Sequence, residues 1–177
     1  MKKELGLHFL TSLILFVLIS FFRNYLNISF WPFWAGAIIG TFLPDIDHII
    51  YVYYLRPYEV TSQRVMYMAQ KGNLRQSWNL LSTTRSERSN LILHTVVFQV
   101  LFVILSFLVV TSNSSLLGEG LAVAFLLHLF VDEILDLRAN MNLLNWFKNI
   151  PIEFDKVQLN TYLVVNFVVI LIFGFLM

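Results

Sequence analysis

The sequence predicts an all-α membrane protein, a bundle of about five transmembrane helices with the second interrupted at LPDID. Three observations carry this. Hydrophobic residues make up 58% of the 177-residue chain and charged residues 13%, with a mean hydropathy of +0.71. Soluble domains run nearer 45–50% apolar and about 25% charged. Five segments approach the roughly 20 apolar residues that a spanning helix needs. The basic residues lie almost entirely in alternate connections between those segments.

The first segment, residues 5–22, stops at Arg23-Asn24 and is too long for a signal peptide, so it is read as retained. The second, residues 31–55, is interrupted at Pro44-Asp45. The third, residues 91–111, ends in the polar run TSNSS. The fourth covers residues 118–137 and the fifth 159–177. With five spans, the N-terminus and the second and fourth connections share one side, which holds eleven of the twelve Lys and Arg residues. The positive-inside rule makes that side the cytoplasm and places the C-terminus outside. The whole chain, 1–177, then reads as a single integral membrane domain. Its sizeable polar piece is a cytoplasmic loop over 56–90. There VTSQRVMYMAQKG predicts an amphipathic helix stopped by Gly72, and SWNLL places Trp78 at headgroup level, as an interfacial anchor or as a lid. The absence of cysteine excludes disulfides and thiolate metal sites, and a net charge of +1 gives no reason to expect nucleic acid.

Ionisable residues inside spans are costly and mark function. All four histidines of the chain are among them: His8, His48, His94 and His128. Asp45 and Asp47 accompany His48; Asp132, Glu133 and Asp136 follow His128. The topology brings His8, Asp45–His48, His94 and His128–Asp132 to one depth, the cytoplasmic half of the bilayer. His128 and Asp132 are four apart and share a helix face, which Asp136 continues; Glu133 points away. Pro44 disturbs the second helix so that Asp45 and Asp47 can face a cavity, with capping of the following half-helix as the alternative role for Asp45. Imidazole and carboxylate without thiol suit zinc, manganese or iron.

These residues resemble the YdjM-like family of membrane-bound metal-dependent hydrolases of bacterial inner membranes. The resemblance rests on His8, the GTFLPDIDH segment (Gly40, Leu43 to His48), His94, HLFVD (His128 to Asp132) and NLLNWF (Asn142 to Phe147). The chain departs from the family pattern before His94, where SNLILH lacks a second histidine. That family is in turn similar to the zinc phospholipase C and P1 nuclease fold. The resemblance implies His8, Asp47, His48, His94, His128 and Asp132 as ligands of one to three divalent ions, zinc first. Asp45 is expected as a ligand or as the base that takes a proton from water. Arg85 and Arg88, just before the third span, are expected to hold a phosphate. The expected activity is hydrolysis of a phosphate ester or lipid-like substrate at the inner membrane. The alternatives are a proton- or metal-ion-coupled transporter component and a non-catalytic metal-binding membrane protein.

Overall fold

The computed structural model describes residues 2–112, 115–140, 143–151 and 154–177, and these form an all-helical bundle with no strand among them. Among the described residues nine α-helices follow in order: α1 (Lys2–Arg23), α2 (Trp31–Phe42), α3 (Ile46–Ile50), α4 (Val60–Gln70), α5 (Leu74–Thr83), α6 (Val96–Thr111), α7 (Leu116–Asn140), α8 (Leu144–Phe147) and α9 (Lys156–Leu176).

Helix α7 is the centre. Residues 122–129 are all buried, as a helix apolar on every side should be. α2 lies directly on it. A Cβ on Gly40 would come within 2.3 Å of the Leu121 carbonyl oxygen, and one on Gly120 within 2.2 Å of the Phe33 oxygen. Gly36 and Gly40 on one helix and Gly120 on the other therefore let two backbones touch. Phe16, Ile19, Phe33, Val123, Leu126 and Phe173 fill the core at one end, and Val96, Phe125, Leu129, Trp146 and Leu159 at the other.

Among the described residues, three helical runs are long and apolar enough to cross a membrane: Leu5–Arg23, Ile28–Leu55 and Lys156–Leu176. Their outer faces carry exposed Phe9, Phe21, Ile38, Val164 and Phe175. Apolar surface on that scale needs a lipid or protein partner, and these helices associate the chain with a membrane. The two other expected spans differ for physical reasons. α6 has 16 residues, about 24 Å of helix against a hydrocarbon core of about 30 Å. It starts at Val96 rather than at 91 because the amides of Ile92, Leu93 and His94 donate to Asp47 instead of opening a helix. α7 is long enough but carries Glu119, Asp132, Glu133, Asp136 and Arg138.

The second span breaks where the sequence places the break. Leu43–Asp45 is a 3₁₀ turn with Pro44 inside it, α3 follows, and Tyr51–Leu55 is a π-helical turn. Over 56–90, α4 ends at Gln70 and Gly72 turns the chain with a φ of 77°. α4 and α5 then pack on Tyr51 and Val52 through Val65 and Leu81. A 3₁₀ turn, Arg85–Glu87, carries the chain back over the buried histidines.

Candidate metal centre

Asp132 is the hub. It is fully buried, and four nitrogens converge on its two oxygens. His8 Nε2 lies 2.9 Å and Arg85 Nη1 2.6 Å from Oδ1. His94 Nε2 lies 3.0 Å and His128 Nε2 3.1 Å from Oδ2. Helices α1 and α7, the 3₁₀ turn at Arg85 and the lead into α6 supply them. His8 and His128 stack with ring centroids 4.1 Å apart.

Hydrogen bonding fixes which ring atoms are free. His128 Nδ1 sits 2.6 Å from the Thr41 carbonyl oxygen, which can only accept, so Nδ1 carries the hydrogen. In the neutral ring Nε2 then turns a bare lone pair toward Asp132, with Asp45 Oδ1 a further 3.7 Å neighbour. Closeness here is not a hydrogen bond: His128 Nε2 is a buried atom without a partner, and so is His8 Nδ1. His94 differs, because carboxylate oxygens face both of its nitrogens and either can carry the hydrogen. Its Nδ1 lies 3.1 Å from Asp47 Oδ2 and its Nε2 3.0 Å from Asp132 Oδ2, so it bridges the two carboxylates. A lone pair facing a carboxylate is repulsive unless a cation or a proton lies between them. The residues fit a metal on this count and on donor chemistry, imidazole and carboxylate without thiol. Ligand atoms of His8, His128 and Asp132 all lie within 4.8 Å of one another, so this group could hold a metal ion.

Two expected ligands meet other groups. Asp47 is fully buried, but its oxygens accept from the amides of Ile92 (3.1 Å), Leu93 (2.7 Å) and His94 (3.3 Å) and face His94 Nδ1. It orients a histidine, as carboxylates behind metal-binding imidazoles do. His48 accepts at Nδ1 from Arg88 Nε at 3.1 Å and therefore carries its hydrogen on Nε2, a donor rather than a ligand atom. Arg85 bonds Asp132 through Nη1, while its Nη2, 3.6 Å from Asp136, makes no hydrogen bond. Burial disfavours the Arg85 charge, but Asp132 and Asp136 outweigh it and hold its pKa above the ordinary value. Burial and the charge of Arg85 lower Arg88 to about 10. Asp45 is the less buried of the two LPDID aspartates and makes no cap hydrogen bond to α3. Asp45, with His8, His48, Arg85 and Arg88, lines a cavity of about 50 Å³. A polar cleft of about 320 Å³ shares Arg85 and Arg88 and adds His94, Asp136 and Trp146.

Trp146 of α8 donates to Asp136 at 2.8 Å and meets the His94 ring edge-on at 5.6 Å. It belongs to the NLLNWF segment, whose Asn142 lies outside the described residues. Two buried acids stand apart from the centre. Glu133 is held on the other face of α7 by Tyr162 and by Asn166 at 3.2 Å, with Gln99 also bonded to Tyr162. Glu119, in the first turn of α7, is buried with one oxygen unpartnered. Its position in a long apolar run could have marked it beside the other intramembrane acids. Comparison with known protein families, curated proteins and solved structures finds no match for this chain.

Proposed function

We propose that the protein is a membrane-bound metal-dependent hydrolase acting on a phosphate ester or lipid-like substrate. The observation that carries this is the convergence of three imidazoles on buried Asp132, with the second nitrogen of His128 committed to the Thr41 carbonyl and that of His94 facing Asp47. His8, His94, His128 and Asp132 would hold the ion, zinc first and manganese or iron as alternatives. A divalent ion in such a site supplies an acidified water and polarises an ester oxygen. Asp45, open to the cavity, accepts the proton of the attacking water. His48, kept as the Nε2–H form by Arg88, has that hydrogen to offer a leaving oxygen. Arg85 and Arg88 line both cavities and provide the charge that positions a phosphate at their junction. The resemblance to the YdjM-like family supports the same reading. So does the basic-residue asymmetry, which favours five crossings of a bacterial inner membrane with the centre in its cytoplasmic half.

The test is elemental analysis of the detergent-purified chain, with His128→Ala and Asp132→Asn alongside. The expected result is stoichiometric metal in the wild type and none in either variant, followed by phosphodiester turnover that chelator abolishes. A wild type that binds no divalent metal would sink the proposal.

A further inference from the structure

Two cavities lie between helix α1 and the second span, lined by consecutive turns of both, and together they define a furrow toward the centre. Its inner part is the cavity walled by Leu5, His8, Asp45 and His48. Its outer part is an apolar pocket of about 100 Å³ walled by Phe9, Leu13, Phe16, Trp34, Ile38 and Phe42. These walls are successive turns of the same two stripes. On α1 they follow 5, 8, 9, 13 and 16; on the second span they follow 34, 38, 42, 45 and 48. Phe9, Leu13, Ile38 and Phe42 are exposed, so the furrow opens sideways, toward lipid. Its floor is chemically quiet. Ser12 Oγ and Thr41 Oγ1 are 2.9 Å apart, and Thr41 donates to the Ala37 carbonyl at 2.8 Å, so neither hydroxyl is left needing water. Arg85 and Arg88 stand at the closed end. From Leu5 to Phe16 the furrow is about 16 Å long by helical rise. That is about half the 30 Å hydrocarbon core, the depth of one leaflet.

We propose that this furrow takes one hydrocarbon chain of a phosphate-bearing membrane lipid, drawn sideways from the leaflet that holds the centre, with the lipid phosphate at Arg85 and Arg88. This rests on the hydrolase reading for its purpose, but binding needs neither metal nor turnover. The headgroup beyond the phosphate has the 320 Å³ polar cleft available to it, because that cleft shares the same two arginines.

The experiment uses the full chain in phosphatidylcholine liposomes with chelator present and a phosphatidic acid bearing a photoactivatable acyl chain. Label is expected in residues 5–16 and 34–45, displaced by unlabelled phosphatidic acid and not by diacylglycerol. Ile38→Trp and Leu13→Trp, which fill the furrow from lipid-exposed positions, should each cut that label about fivefold or more. Ile39→Trp, equally lipid-facing but off the furrow, should leave it unchanged. Label spread evenly over α1, α6 and α9 would mean annular lipid only and overturn the proposal. Equal displacement by diacylglycerol would overturn the phosphate assignment, as would indifference to both filling variants for the furrow itself. Failure of the hydrolase reading shows in metal analysis instead, so the two failures are distinguishable.

Discussion

Asp47→Asn separates an orienting carboxylate from a metal ligand. The native side chain faces three amides and one imidazole nitrogen at 2.7–3.3 Å. Asparagine keeps one accepting oxygen and turns two N–H donors toward groups that are themselves donors. At least two contacts are lost, each worth about 1.5–3 kcal/mol because the acceptor is charged. The loss falls on the segment that presents His94, so unfolding stability should drop by about 3 kcal/mol or more. Metal binding should weaken without disappearing. Removing the carboxylate behind a metal-binding histidine typically costs 10–100-fold in affinity, about 1.4–2.7 kcal/mol. Competition against a chromophoric chelator measures the affinity, and hydrogen exchange at residues 91–95 reports the loop. Complete loss of metal with those amides still protected would make Asp47 a ligand and refute the assignment. Unchanged affinity would refute it from the other side.

Other outcomes follow from the same geometry. Arg85→Gln removes a cation that competes for Asp132, so metal should bind about tenfold tighter while phosphodiester turnover falls; weaker metal binding in the chelator assay would contradict this. Gly120→Ala drives a methyl into the Phe33 carbonyl and should cost at least about 1–3 kcal/mol in thermal unfolding. Gly6→Ala, with nothing within 4 Å, should cost nothing and gain up to about 1 kcal/mol of helix propensity. Glu133→Gln keeps one accepting oxygen, enough for Tyr162 or Asn166 but not both, yet it lies away from the centre, so metal stoichiometry should stay at the wild-type value. Metal lost from that variant would place Glu133 in the centre.

The sequence made depth legible and left direction hidden. Apolar length located the helices, Pro44 located the break, and the spacing of His128 and Asp132 located a shared face. His8 and His94 were recognisable as members of the same layer because hydropathy fixes where along a span a residue lies. Hydropathy does not say which way around its helix a residue points or what stands opposite. Asp47 and His48 are adjacent and equally polar, yet one meets three amides and the other an arginine forty residues away. The late start of α6 has the same origin, since the acceptor that unwinds residues 92–94 belongs to another span. Burial of Arg88 and the Tyr162–Glu133 contact depend on how α5, α6, α7 and α9 meet, which no local pattern encodes.

The contact of α2 with α7 leaves no layer of side chains between them at Gly36, Gly40 and Gly120. His128 takes its bearing from Thr41, one residue past Gly40, and that bearing is set by main chain lying on main chain. A joint of this kind has almost no rotamers to sample and so little play. The imidazole is aimed as if by a machined surface, and its lone pair stays trained on Asp132 whatever the lipid-facing helices do around it.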